Sequence, residues 1–210
     1  MAATAGEPGQ ELAGDAVVPA RQAASIILLR GGDQTLELLL VQRTPKARFM
    51  GGVWVFPGGA VDAHEGEGDQ AHRVAAVREL EEEAAVSGIA PHELVKFSQW
   101  ITPEQVKIRF DTHFFLAEAP AGVEPCIDGE ECVDLGWFTP QDALRAGEAG
   151  AIELVFPTIK HLEQLSIFPS TAAVLAHAAA HEVVPVLPKV VMGGETARIL
   201  LPGEPGYDAA

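Results

Sequence analysis

Residues 78–86 read RELEEEAAV, with four glutamates in the five positions from 79 to 83. On a helix, like charges three or four residues apart cost about 0.2–0.5 kcal/mol per pair. Such a run is either a solvated helix face or a surface that binds something positive. The surrounding QAHRVAAVRELEEEAA, 70–85, is a helix by composition: strong helix formers, no Gly or Pro, and Asp69 as the expected N-cap. Gly88 and Pro91 follow its end. At about 100° per residue, Glu79, Glu82 and Glu83 share an arc of roughly 100°, and Glu81 falls away from them. Val77, Leu80 and Ala84 form the expected buried stripe. Arg78 is placed to fix one carboxylate by a two-pronged hydrogen bond. A carboxylate edge of this kind suits Mg²⁺, which takes one or two carboxylates, keeps waters, and shares substrate phosphates.

The rest of the chain supplies a frame for that helix. ASIILLR (24–30), the turn GGDQ and LELLLVQR (36–43) predict a hairpin, and VWVF (53–56) predicts a short buried strand ended by the turn PGG (57–59). Residues 94–101, 106–119 and 132–138 are strand-like. A helix opens at TPQDALRAG (139–147), with Thr139 as cap and Pro140 in first position. Further helices are expected at 157–166 and 170–182. A short strand pair interrupted by prolines is expected within 183–206. The chain thus divides into a mobile tail over 1–21, one domain over 22–182 with a mixed sheet and a few helices, α/β or α+β, and an extension over 183–210. That extension either packs on the domain or pairs with a second subunit, as a homodimer.

Composition narrows the partners. The chain has 210 residues, 14 Lys+Arg against 30 Asp+Glu, and a formal net charge of −16. A nucleic acid is excluded as partner because so few cations cannot line a phosphate backbone. No apolar run approaches the 18 or more residues of a membrane span, and no basic, apolar leader opens the sequence. Cys126 and Cys132 match no zinc spacing, which points to reduced thiols and a cytoplasmic setting.

The order G59-AVDAH-E65 followed by R78-E79-L80-E81-E82-E83-A84-A85-V86 resembles the Nudix box, G-x5-E-x7-R-E-U-x-E-E-x-G-U with U aliphatic. It departs in two places. Twelve residues separate Glu65 from Arg78 where the pattern has seven; counted back from Arg78, the glutamate position falls on Gln70. Ala85 stands where the pattern has Gly, so the helix is expected to run on to Gly88. The resemblance implies an α/β/α sandwich around a mixed sheet, and hydrolysis of a nucleoside diphosphate linked to a group X. It further implies Mg²⁺ or Mn²⁺ held by Glu79, Glu82 and Glu83, with Arg78, Glu82 and Glu83 in the catalytic set. The proton acceptor lies in the box or on a later loop, where Glu130 and Glu131 are the candidates.

A second pattern, L39-L40-V41-Q42-R43-T44-PKA-R48-FMG-G52-VWV-F56-P57-G58-G59, resembles the signature of coenzyme A diphosphatases, L-L-T-x-R-[SA]-x3-R-x3-G-x3-F-P-G-G; Val41 and Thr44 depart from it. It implies coenzyme A or acyl-CoA as substrate, cut to 3′-phospho-AMP and (acyl-)4′-phosphopantetheine. Arg43 and Arg48 suit the ribose phosphate, and Gly58, Gly59 and Trp54 are further substrate-side candidates. An ADP-ribose or NDP-sugar substrate, or a Nudix-fold nucleotide sensor without turnover, are the alternatives. His177 and His181 have a metal-like i,i+4 spacing but no glutamate between them, and are read as surface histidines. His64 is read as a solvated loop residue.

Overall fold

The computed structural model describes residues 17–47, 50–193 and 196–209. Its hub is strand β1 (Arg21–Arg30), whose run from Ala23 to Leu29, apolar but for Ser25, is buried on both faces. A strand covered on both sides needs no polar alternation. β1 pairs antiparallel with β2 (Glu37–Arg43), for which Leu29 faces Leu38, and with β4 (Gly58–Ala60). It pairs in parallel with β6 (Phe110–Glu118) along its length. β3 (Trp54–Val55) and β7 (Cys132–Phe138) flank β2, and β5 (Val95–Ile101) lies beyond β6.

Period-two alternation sends these strands into two cores. Ala24, Ile26, Leu28, Leu39, Val41 and Phe115 pack against α1 (Gly68–Ala84) through Ala75, Ala76, Leu80 and Ala84. On the other face Ile27, Leu29, Leu38, Leu40, Phe114 and Leu116 meet α2 (Pro140–Glu148), α3 (Phe156–Leu165) and α4 (Thr171–Ala180). The fold is therefore an α/β/α sandwich around a mixed sheet. Thr139 caps α2 by accepting from the Asp142 N–H, with Pro140 in the first turn, as the sequence predicts.

Other expectations need correction. PGG does not simply end a strand, because Gly58–Ala60 goes on to form β4 against β1. Asp69 is not the cap of α1: Glu67 occupies that position, and Asp69 instead accepts from Arg73 Nε at 2.5 Å. Val77 is only half-buried, since Ala76 sits nearer the sheet. Arg21 opens β1 and Arg109 donates to the Val18 carbonyl at 2.6 Å, so the last residues of the expected tail are held; residues 1–16 lie outside the described residues. In the C-terminal extension, Val186 runs parallel to the outer strand: Ile101 N–H donates to Val186 O, and Val186 N–H to Gln99 O, both at 2.8 Å. β8 (Lys189–Gly193) and β9 (Thr196–Leu200) then form a separate hairpin. No helix among the described residues is long and apolar enough to cross a membrane.

Nor does α1 run on to Gly88. It stops because Ala85 turns left-handed, φ 53° and ψ 29°, while its N–H bonds Glu81 O. A Cβ in that conformation costs about 1–2 kcal/mol, and Val86, buried immediately after, needs the turn. Ala85→Gly should raise the unfolding free energy by about 0.5–1 kcal/mol, part of the relief being lost to a more flexible unfolded chain. Urea denaturation checks this, and an unchanged midpoint would mean that the chain leaves the helix by another route.

Candidate active site

Gly58 and Gly59 of β4 lie beneath α1 and decide what can stand there. A Cβ on Gly58 would come within 2.5 Å of the Ala24 carbonyl oxygen, and one on Gly59 would fall inside the Glu79 carboxylate. With no side chain in the way, Gly58 N–H donates to Glu83 Oε2 at 2.9 Å. Gly58 is thus demanded by the close approach of β1, and Gly59 by that of α1.

Arg78 ties the rest together. Its Nε donates to Glu65 Oε1 at 2.9 Å, its Nη1 to Glu79 Oε1 at 2.8 Å and Glu82 Oε2 at 2.7 Å, and its Nη2 to the Ala60 carbonyl at 3.0 Å. The inserted loop does not displace Glu65, because the Glu65 side chain, 1% exposed, reaches Arg78 across it. Gln70 does not take that place. Burial opposes ionisation of Glu65, but Arg78 and the Asp62 N–H outweigh it and hold the carboxyl below its usual range.

The carboxylates of the helix edge differ sharply. Glu79 and Glu83 are buried, whereas Glu81 and Glu82 are exposed. Burial pushes Glu83 up to about 7; the Gly58 N–H and Arg43 oppose the rise, and the charges of Glu79 and Glu131 add to it. Burial also raises Glu79, against the pull of Arg78. Two buried acids that resist ionisation are a site prepared for an added positive charge. Among the described residues no three His, Cys, Asp or Glu side chains already converge as a chelate. The donor set nevertheless fits a hard cation: Arg78 and Gly58 engage one oxygen each of Glu79, Glu82 and Glu83, leaving the second oxygen of each outside those bonds. Mg²⁺ or Mn²⁺ completes such a set with waters and phosphate oxygens.

The sheet contributes two more groups. Arg43, at the end of β2, stands opposite Cys132 at the start of β7. Its buried Nε has no hydrogen-bond partner, and its charge is felt by both Glu83 and Cys132. Glu131, next to Cys132, is exposed, yet its charge reaches Glu79 and Glu83.

Trp54 lies away from the helix edge. It is 8% exposed and sits in the core of the opposite face, its ring edge-on to Phe138 at 5.6 Å, because the short β3 turns it away from α1. Arg48 lies outside the described residues. The rings of His177 and His181 stack at 3.9 Å, and His64 is exposed. Asp128 and Cys132, not singled out in the sequence, lie beside these groups: Cys132 opposite Arg43, and Asp128 accepting from the Glu131 and Cys132 N–H groups. The Asp-Gly pair at 128–129 was a turn signal, and Cys132 directly follows a candidate base.

The model of the NUDIX domain family matches residues 19–157. The chain belongs to that family. Its members hydrolyse diphosphate bonds and generally use divalent metal ions. "Putative nudix hydrolase 7" of Caenorhabditis elegans is 31% identical over 182 residues, covering 70% of this chain but only 60% of that one. A crystal structure of a NUDIX hydrolase from Alicyclobacillus acidocaldarius is 25% identical with a TM-score of 0.68, over 80% of this chain and all of that one. The NUDIX domain of Shewanella oneidensis NrtR, crystallised with ADP ribose, shares the fold at 22% identity and a TM-score of 0.54, over 70% and 86% of the two chains.

The raised Glu83 gives a pH test. A folded-state value of about 7 against an ordinary 4.5 means that the stability contributed by the protonated acid is complete below 4.5 and lost as pH rises through 7. In EDTA, Glu83→Gln should match the native chain at pH 4 and exceed it by about 3 kcal/mol at pH 8. Denaturant melts at the two pH values check this, and a constant difference would refute the raised acid.

Proposed function

We propose that this NUDIX chain hydrolyses a nucleoside diphosphate linked to a second group, and that the substrate is coenzyme A or an acyl-CoA. The products would be 3′-phospho-AMP and (acyl-)4′-phosphopantetheine. The observation that carries the hydrolase reading is the pair of buried carboxylates Glu79 and Glu83, braced by Arg78 and β4 and poised for a cation. A divalent ion bound there supplies charge neutralisation of the diphosphate and acidification of a water.

The chain's own groups supply the rest. The Glu131 carboxylate, exposed beside that edge, accepts the proton of the attacking water. Arg43, facing the carboxylates from the sheet with a free buried donor, holds a phosphate of the diphosphate. Coenzyme A is favoured by the motif running from Leu39 to Gly59, in which Arg48 remains as the candidate for the ribose phosphate. Both cysteines are free thiols, which supports a reducing, cytoplasmic setting.

Turnover with Mg²⁺ or Mn²⁺ on coenzyme A, dephospho-CoA, ADP-ribose, an NDP-sugar and a nucleoside triphosphate, with products read by mass, tests this. 3′-Phospho-AMP should form fastest. Faster AMP release from ADP-ribose would keep the carboxylate edge and remove the coenzyme A assignment; metal-dependent binding without any turnover would favour a sensor. Arg43→Gln should lower kcat/KM about 100-fold on coenzyme A and dephospho-CoA alike, the loss expected of a charged phosphate contact. Arg48→Gln should discriminate between them. Should Arg43→Gln spare dephospho-CoA, Arg43 would return to the ribose phosphate.

A further inference from the structure

Between β6 and β7 the loop carrying Glu131 is bound at several backbone points. Cys126 N–H donates to Ala84 O at 2.9 Å, taking one of the carbonyls that the last turn of α1 leaves free. Thr44 N–H, at the head of the arginine loop, donates to Glu131 O at 2.8 Å. Gly129 N–H donates to Cys132 O at 3.1 Å. Asp128 closes the arrangement: its Oδ2 accepts from Glu131 N–H at 2.8 Å and its Oδ1 from Cys132 N–H at 2.9 Å. Glu131 thus has both its N–H and its carbonyl committed, although its side chain is exposed.

The two residues that Asp128 holds both lie within electrostatic reach of Glu83. Cys132 is fully buried, and burial and then the charge of Glu83 push its thiol up to about 12. Glu131 stands on the solvent side, its charge acting on both Glu79 and Glu83. A carboxylate has two equivalent acceptors, one for each N–H. An asparagine has a single carbonyl oxygen, and its amide would face the second N–H donor to donor. The choice of aspartate therefore matters to geometry: displacement of a reacting group by about 1 Å can cost on the order of 100-fold in rate.

We propose that Asp128 is a positioning residue for the hydrolysis, clamping the Glu131 and Cys132 amides so that the Glu131 carboxylate stands over the Glu79–Glu83 edge. This rests on the reading of the chain as a diphosphate hydrolase with Glu131 as base. Asp128 spends its two oxygens on the Glu131 and Cys132 amides, and it acts through Glu131.

The test is a double-mutant cycle on the full chain with Mg²⁺, using coenzyme A and ADP-ribose as probes. Asp128→Ala should lower kcat about 30-fold with KM within about twofold, the pattern of a contact expressed only in the transition state. Asp128→Asn, keeping one of the two bonds, should recover part of the loss. Glu131→Gln should lower kcat at least as far, and adding Asp128→Ala to it should cost nothing more. If the Asp128→Ala chain does not stay folded at the assay temperature, the Asp128→Asn arm of the same cycle carries the test. An Asp128 effect that persists undiminished in the Glu131→Gln background would overturn the inference, as would native kcat in Asp128→Ala. Native turnover in Glu131→Gln would remove both the base and its clamp while leaving the hydrolase reading intact. A native chain inert on both probes would fail at the earlier step.

Discussion

Everything at the site depends on how closely α1 approaches β4. The helix comes down on Gly59, where any side chain would strike the Glu79 carboxylate, and beside it the Gly58 N–H reaches Glu83. That approach buries two acids that water would otherwise solvate, and burial is the leading cause of their raised values. The cost is tolerated because Arg78 distributes its donors over Glu65, Glu79, Glu82 and the Ala60 carbonyl, which offsets the repulsion among those carboxylates, while burial holds Glu79 and Glu83 back from ionising. Charge is stored at the edge in a form that a cation can draw out.

The rest of the sandwich keeps that contact in place. β1 anchors β4 on one side and runs parallel to β6 on the other, so the floor of the site is continuous with the centre of the sheet. β2 and β7 pair beside it, which brings Arg43 and Cys132 to the same register position. Functional groups thus come from the helix, from a strand end and from a loop, each fixed to a different part of one sheet.

Much of this was legible from residue order. The apolar runs at 24–30 and 36–43, the Thr139–Pro140 helix start and the arc of Glu79, Glu82 and Glu83 depend on local periodicity and capping, which a sequence displays directly. Contacts made across the chain were not. Glu65 finds Arg78 despite the lengthened loop, because spatial reach and not residue count sets the pairing. Gly58–Ala60 reads as a turn by composition, and only its partner β1 makes it a strand. The core that Trp54 enters was not legible either, since a two-residue strand offers no alternation from which to read its face. Ala85 shows the reverse: the left-handed cap forms without the glycine that local rules demand, because Val86 must enter the core.

The strap at Val186 has a consequence for handling the protein. It lies beyond residues 19–157, where the family match ends, yet it satisfies Gln99 and Ile101 on the outer rim of β5. A chain trimmed to the family boundary would bare the Ile101 N–H and the Gln99 carbonyl on either side of Trp100, lengthening the open margin along which copies can stack into aggregates. Truncation or fusion directly behind the helices would therefore strip this cover, and the segment at Val186 is best regarded as part of the sheet's insulation.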